Sequence, residues 1–323
     1  MTLTERLPAV ILGGDPFTMF RFLYRRDCLW KLFDEDYCLS VMRAAYEGGC
    51  RAFDLSFEVN ARLFSRLLDE TGDPLSGFGN PSWEQGVFFN GRYLQYSRDR
   101  IMKTLVERLF PRPIASLVKE KLSLDDVLVF GYDRGAASLS DEEIASIHLN
   151  KETYAKRLEV FEDCRYILVG GADADWLVSL GRTDIVLDMI AYVRSRGFTP
   201  LVLSQFPTLV LPALESAGCD AEGYAVPLNK NWSWFDRDEC VEVIQSISKP
   251  IVAFMAFASD NLKKDITGAM EWLYGVAGVE SILFGTAIPE HARQTSALAL
   301  SARGEMDHFQ TNIHERLHNH ADH

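Results

Sequence analysis

Nine short apolar runs, separated by amphipathic helical stretches, constrain the fold of this chain more than any other feature of its sequence. Nearly continuous apolar runs are typical of parallel strands that are buried on both faces. Strands that alternate with helices form βαβ units, and about eight such units build either a closed barrel or a doubly wound open sheet. The candidate strands are 9–15, 51–57, 74–80, 126–134, 164–171, 199–206, 221–229, 250–258 and 281–285.

The helical stretches carry their apolar residues on one face, most clearly in 35–47, 60–69 and 183–196. No G-x-G-x-x-G motif follows the first strand, so the dinucleotide-binding form of the open sheet loses support. We therefore predict α/β class with a single (β/α)8 TIM barrel. A barrel needs eight strands, so one of 74–80 and 126–134 is expected to be an inserted hairpin or lid.

Composition limits the partners of such a chain. It has 323 residues, of which 47% are hydrophobic, and a net charge of −13, which disfavours binding to nucleic acid. No apolar run reaches the roughly 18 residues of a membrane span. The start, MTLTERLPAV, lacks the pattern of a signal peptide. Six scattered cysteines without a C-x-x-C pair are typical of a reduced, cytoplasmic protein.

We expect a barrel over 1–305 with an insertion or lid around 82–150, and a polar, His-rich tail over 306–323.

Two connections are rich in aromatic residues: FTMFRFLYRRDCLWKLF (17–33) and SWEQGVFFNGRYLQYSRD (82–99). In a barrel they would lie on the C-terminal face, where active sites form. One interpretation makes them lids that present arginines, such as Arg25, to an anionic substrate. The other makes them a subunit interface, and both a monomer and a homodimer are compatible with the sequence.

Polar residues follow the apolar runs at the ends that would meet at the barrel mouth. Asp54 is the foremost candidate, because a carboxylate that closes a buried strand is costly unless it is paired or used. Its alternative roles are to cap the next helix or to pair with an arginine. The other candidates are Asp15 as a base or a turn former, Lys230 as an acid, a base or an exposed loop residue, and Asn80, Gln205 and Asn229 as substrate hydrogen-bonding residues.

Three stretches resemble the aldo-keto reductase superfamily, a family of (β/α)8 barrels. KPIVAFMAFASDNL…AMEWLYGVAGVESILFGTAIPEHARQT (249–295) is similar to the seventh and eighth strands of that family. EGYAVPLNKN (222–231) is similar to the sixth strand, and AAYEGGCRAFDLSF (44–57) to the second. The resemblance covers about two-thirds of the chain and is weakest in 82–150.

The resemblance implies a catalytic tetrad, of which this chain keeps one member. Asp54 matches the aspartate, whereas Val59 stands where the family has its tyrosine proton donor. The lysine position is taken by Tyr132 if 126–134 is the third strand, or by Asn80 if 74–80 is. Gly170 and Gly171 occupy the histidine position. The ordinary reductase mechanism therefore lacks its proton donor.

The resemblance also implies a nicotinamide cofactor whose phosphates would lie at Gly285 and Thr286, before a helix start that favours anions. The family's later Glu-Asn pair is replaced by Gln294 and Thr295, so NADPH is an alternative and not the favoured cofactor. A phosphate-bearing substrate would use the same helix start. The carboxylates after the strands, Asp15, Asp54, Asp133 and Asp173, are compatible with magnesium, but no interior His pair has ligand spacing, so zinc is disfavoured and no metal site is predicted. The HERLH motif at 314–318 has zinc-protease spacing, but it follows the last barrel element and lacks a surrounding cleft.

Three functional hypotheses follow. The first is an enzyme that performs cofactor-independent acid–base chemistry, as a lyase, dehydratase or isomerase, on a small polar carbonyl or carboxylate compound. Asp54 would be its base or an electrostatic partner, with Lys230 or Tyr132 as the acid. The second is an NAD(P)H-dependent oxidoreductase with a substitute proton donor. The third is a non-catalytic barrel that binds a small molecule or assembles with partners.

Overall fold

The computed structural model describes residues 6–18, 29–81, 85–109, 137–231, 236–258, 262 and 264–304. The candidate strand 126–134 and the site candidates Arg25 and Tyr132 lie outside these residues. The same is true of 19–28, the larger part of the first aromatic loop, and of the tail 306–323.

Eight parallel strands close into a barrel, as predicted. Each strand is paired with a parallel neighbour on either side, and β1 closes the ring between β11 and β2. Segment 74–80 supplies the third barrel strand, which answers the question that the sequence left open. In order around the ring the strands are β1 (Val10–Leu12), β2 (Ala52–Leu55), β3 (Ser76–Gly79), β7 (Cys164–Gly170), β8 (Thr199–Leu203), β9 (Gly223–Pro227), β10 (Ile251–Phe254) and β11 (Ser281–Phe284).

Helices cover the outside of the barrel and connect its strands. Asp34 is the N-cap of the first barrel helix, α1, because its side chain accepts a hydrogen bond from the Asp36 N–H. Gly48 follows the last residue of this helix. The helices are α1 (Glu35–Glu47), α2 (Glu58–Thr71), α3 (Arg98–Leu109), α4 (Asp141–Ala145), α5 (Lys151–Leu158), α6 (Ala172–Ser179), α7 (Thr183–Ser195), α8 (Pro207–Ser216), α9 (Arg237–Ser246), α10 (Ile266–Glu271, continued by a π-helical turn Trp272–Val276) and α11 (289–304).

Side chains that alternate along the strands fill two separate cores. Outward-facing residues such as Leu12 and Phe53 pack against the helices. Inward-facing residues form a second cluster that fills the barrel, with Phe78 and Tyr166 stacked at a ring distance of 4.4 Å. The buried members of this inner cluster are Leu7, Ile11, Ala52, Phe78, Tyr166, Leu168, Leu201, Leu203, Ala225 and Val252. The barrel is therefore a packed core, which leaves its C-terminal mouth as the place for a site.

A second, three-stranded antiparallel sheet lies in the connection between β3 and β7. Its strands are β4 (Val87–Phe89), β5 (Arg92–Tyr93) and β6 (His148–Leu149). Asn90 and Gly91 join β4 to β5 with positive φ angles of 48° and 71°, the geometry that an Asn-Gly hairpin turn requires. This sheet lies within the region where the sequence predicts an insertion.

Among the described helices, none combines the length and the apolar character needed to cross a membrane.

Candidate active site

Asp54 lies inside the barrel mouth, at the C-terminal end of β2. It alternates with Ala52, a member of the inner cluster, so its side chain points towards the barrel interior. The side chain is 4% exposed. Its Oδ2 accepts a hydrogen bond of 3.2 Å from the Gly14 N–H, whereas Oδ1 has no hydrogen-bond partner among the described residues. The side chains of Asn80 and Ser56 lie beside this carboxyl group as well.

The surroundings of Asp54 raise its pKa to about 7, chiefly because burial removes water from the charged form and further because Asp15 lies nearby. The Gly14 N–H and the side chains of Asn80 and Ser56 act in the opposite direction. No lysine or arginine among the described residues forms an ion pair with it. A carboxyl group in this condition is partly ionised near neutral pH and can both accept and donate a proton.

Asp15 opens the short 3₁₀ turn Asp15–Phe17 that follows β1. Its side chain is exposed at the mouth, yet the surrounding protein desolvates it enough to raise its pKa. Asn60 holds this turn against the first turn of α2, because its Nδ2 donates to the Gly14 carbonyl at 3.1 Å. A Cβ at position 14 would lie 2.5 Å from the Asp54 carbonyl oxygen, so glycine is needed for this close approach.

Three predicted hydrogen-bonding residues also follow barrel strands. Asn80 follows β3 and faces Asp54 closely enough to lower the pKa of its carboxyl group. Gln205 follows β8, and Asn229 follows β9, three and four strands from β2 around the ring. Asn229 is buried, and its Oδ1 accepts a hydrogen bond of 3.1 Å from the Asn231 N–H. The C-terminal mouth of the barrel therefore carries amide side chains on different parts of the ring, after β3 and after β8 and β9.

Lys230 lies beyond β9, where its Nζ is 2.7 Å from the Asp265 Oδ2. Both side chains of this ion pair are partly exposed. Arg237 donates to the Lys230 carbonyl at 3.0 Å, which holds the residue near the start of α9. Surface ion pairs of this kind contribute little to stability. The described geometry engages Lys230 with Asp265 and does not bring it to Asp54.

A second pair of buried carboxyl groups, Asp173 and Asp175, lies in the first turn of α6 at the end of β7. The Asp175 oxygens accept hydrogen bonds from the Ser204 hydroxyl at 2.6 Å and from the Gln205 N–H at 3.0 Å. Desolvation raises the pKa of each carboxyl group to about 7, and the charge of Asp175 adds to this effect at Asp173. Sequence analysis missed Asp175, because acidic residues are common in the first turn of any helix.

Two neutral side chains complete the surroundings of this pair. Gln85 forms two hydrogen bonds with Gly170, from Nε2 to the carbonyl at 2.6 Å and from the Gly170 N–H to Oε1 at 2.9 Å. The buried Tyr154 hydroxyl has no hydrogen-bond partner in the described part of the chain, and burial, followed by the charge of Asp173, raises its pKa. Gln85 thereby ties the segment before β4 to the end of β7.

The implied nicotinamide site fits only in part. Gly285 and Thr286 precede α11, and the Thr286 Oγ1 accepts the Ile288 N–H at 3.3 Å, a start that suits a phosphate. Arg293, in the next turn of α11, is already bound to Glu47 and Glu290. Thr295 is buried. Because β3 is the third strand of the barrel, Asn80 and not Tyr132 is the residue that follows that strand.

Within the described ranges, no group of three or more His, Cys, Asp or Glu side chains is arranged to hold a metal ion.

No protein-family model and no curated protein matches the sequence. Solved structures do match its fold. A Pseudomonas aeruginosa protein assigned to the aldo-keto reductases aligns with a TM-score of 0.51 at 16% identity, over 92% of this chain and 90% of that chain. A thermostable aldo-keto reductase solved with the inhibitor epalrestat aligns with a TM-score of 0.51 at 13% identity, over 94% and 96% of the two chains. At this identity the likeness shows the fold alone: this chain has the (β/α)8 barrel that aldo-keto reductases have.

Proposed function

We propose that this protein is a barrel enzyme that moves protons on a small polar carbonyl or carboxylate compound without a redox cofactor, as a lyase, dehydratase or isomerase does. The observation that carries the proposal is Asp54, a buried carboxyl group at the barrel mouth with one unpartnered oxygen and a pKa of about 7. Asp15 contributes the negative charge that helps to keep this pKa high. The Asn80 amide lies beside the same carboxyl group and could bind a substrate oxygen.

The loss of the reductase positions supports this proposal over hydride transfer. Val59 is half-buried at the start of α2, and Gly171 is the N-cap of α6, so neither supplies a proton donor. General acid–base catalysis is most efficient with a group whose pKa lies near the working pH, and Asp54 is such a group at the end of β2. Tyr132 and Lys230, the candidate acids from the sequence, are not required for a mechanism in which Asp54 both removes and returns the proton.

The test is proton exchange measured by NMR. The purified protein is incubated in D₂O with a panel of small carbonyl and carboxylate compounds, and loss of C–H signal next to the carbonyl is followed. We expect exchange of at least one compound, with a fall of roughly 10²–10⁴-fold in the Asp54→Asn variant. Asp69→Asn removes an exposed carboxylate of α2, away from the barrel mouth, and serves as the control. Equal exchange rates in the Asp54→Asn variant and the unaltered protein would contradict the proposal.

The oxidoreductase alternative retains one specific observation in its favour, the phosphate-compatible start of α11 after Thr286. Titration with NADPH and NADH, followed by quenching of tryptophan fluorescence, separates the two. Micromolar cofactor binding together with carbonyl reduction would favour the alternative. Absence of binding at millimolar cofactor would remove it.

A further inference from the structure

Apolar side chains line the floor of the barrel mouth next to the Asp54 site. Gly13 precedes the Gly14 N–H that donates to Asp54. A Cβ at Gly13 would lie 3.0 Å from the Leu283 Cδ2, so Leu283 packs directly against this turn. The register of β10 with β11 places Phe254 beside Leu283. Both side chains face the inner cluster, and each keeps part of its surface exposed.

Met255, the residue after β10, departs from the alternation of that strand. Ala253 faces the helices and Phe254 faces the barrel interior, so an extended backbone would turn Met255 back towards the helices. Its φ angle of 55° prevents this, and Ala256 packs with the outward-facing core instead. The Met255 side chain is 38% exposed as a result. It extends the apolar floor at the rim of the mouth.

This conformation of Met255 is unfavourable for folding in two ways. A residue with a Cβ is sterically strained at a positive φ angle, whereas glycine is not. A large apolar side chain that stays exposed also forgoes the gain from burial. A second strained residue, Ala258, follows three positions later with a φ angle of 49°. Backbone strain of this kind concentrates at ligand-binding sites, where it serves function and not stability.

We infer that Phe254, Leu283 and Met255 form an apolar subsite, which binds an aliphatic or aryl substituent of the substrate, and that Met255 determines specificity for this group. The thioether of methionine is flexible and polarizable, so it adapts to apolar groups of different shape and contacts aromatic rings favourably. The carbonyl end of the same substrate would lie at Asp54. For this carbonyl group alone, the inference rests on the proposed function.

The test measures the binding of compounds that share a carbonyl group and differ in their apolar substituent. One pair is propanone with 4-phenyl-2-butanone, and the other is pyruvate with 4-methyl-2-oxopentanoate. Dissociation constants are obtained by ligand-observed NMR titration of the full chain. In at least one pair we expect the larger compound to bind more than tenfold tighter, because each buried methylene contributes roughly a fourfold factor.

Substitutions of Met255 assign this preference to its side chain. Met255→Gln introduces a polar side chain of similar length, and Met255→Gly removes the side chain. Each should reduce the ratio of the two dissociation constants roughly tenfold, whereas Met255→Leu should retain most of the preference. Asn90→Gly is the matched control for the change in backbone, since Asn90 has a φ angle of 48° in the hairpin between β4 and β5. The ratio should be unchanged in this control.

Three outcomes would overturn the inference: equal dissociation constants within both pairs, no measurable binding of either larger compound, or a preference that survives in both Met255→Gln and Met255→Gly. The deuterium exchange assay separates these failures from failure of the proposed function. Asp54-dependent exchange without an apolar preference would retain the proposed function and reject the subsite. A Met255-dependent preference without any exchange would retain the subsite and reject the proton transfer.

Discussion

At the scale of single residues, the raised pKa of Asp54 has a direct consequence for stability. The unfolded chain loses this proton near pH 4, whereas the native state keeps it until about pH 7. The native state therefore binds more protons between these values, and the contribution of Asp54 to the free energy of unfolding falls as the pH rises through this range. Each unit of difference between the two pKa values corresponds to about 1.4 kcal/mol.

The Asp54→Asn variant removes this penalty. We expect it to be more stable than the unaltered protein by a few kcal/mol at pH 8 and by much less at pH 5, as measured by urea unfolding at both values. Asp69→Asn, at an exposed carboxylate of α2, is the control. Its free energy of unfolding, relative to that of the unaltered protein, should be the same at pH 5 and at pH 8. If Asp54→Asn stabilises the protein but abolishes proton exchange, the carboxyl group of Asp54 serves the function of the protein and not its stability. A stability difference that does not grow from pH 5 to pH 8 would argue against the raised pKa.

Gly14 illustrates a residue whose role is purely steric. A methyl group there would collide with the Asp54 carbonyl at 2.5 Å and with the Asn60 amide at 2.9 Å. We expect Gly14→Ala to lower the free energy of unfolding by roughly 2–4 kcal/mol, because the turn after β1 must move away from β2. Gly304→Ala, at a position with open space around it, is the matched control and should be close to neutral. Similar effects of the two substitutions in chemical unfolding would contradict the packing described.

At the scale of elements, the turn between β8 and α8 depends on a side chain from α6. Asp175 accepts hydrogen bonds from the Ser204 hydroxyl and from the Gln205 N–H, and the Ser204 Oγ in turn accepts the Phe206 N–H at 3.0 Å. We expect Asp175→Ala to cost about 1–3 kcal/mol, since it leaves these buried donors unpaired. Ser204→Ala should cost less, and the double variant should cost less than the sum of the two. If the cost of the double variant equals the sum of the two single costs, the side chains of Asp175 and Ser204 do not act as a unit.

The strand order shows where sequence reasoning was sufficient and where it was not. Alternation of apolar runs and helices predicted βαβ units, and the missing G-x-G-x-x-G motif favoured the barrel over an open sheet. It could not choose between 74–80 and 126–134, since β3 contains two glycines and looks the weaker strand. The structure explains these glycines: a Cβ at Gly77 would lie 2.9 Å from the Cys164 Sγ, and one at Gly79 would lie 2.7 Å from the Ile167 Cδ1. Close packing against β7 outweighs strand propensity here.

The residues of the candidate site could also be predicted only in part. Asp54, Asp15 and Asn80 were identified because they follow strands that end at the barrel mouth, and the structure brings them together. Lys230 follows β9 equally closely in the sequence, but its long side chain reaches Asp265 beyond the strand. The direction of a flexible side chain in a loop depends on charges that are distant in the sequence. The same limitation hid the bonds from Asp175 to Ser204 and Gln205.

At the scale of the whole molecule, closure of the ring depends on β1. Two hydrogen bonds join the residues that flank β1 to β11. The Ile282 N–H donates to the Ala9 carbonyl at 2.9 Å, and the Gly13 N–H donates to the Phe284 carbonyl at 2.7 Å. We expect removal of residues 1–12 to abolish cooperative thermal unfolding, because β2 and β11 would each become an open edge. Removal of 306–323, predicted to be a polar tail, should leave the midpoint unchanged. A large loss of stability in the second truncation would show that the tail packs on the barrel.

The central claim is that Asp54 is a proton-transferring group at the mouth of the barrel. The most direct measurement is the titration of its carboxyl carbon by NMR, in protein labelled with ¹³C at aspartate, with Asp54→Asn supplying the assignment and Asp54 followed from pH 4 to pH 9. We expect a midpoint near 7, which moves lower when Asp15 is replaced by asparagine. A midpoint near 4, the ordinary value of an aspartate, would contradict it.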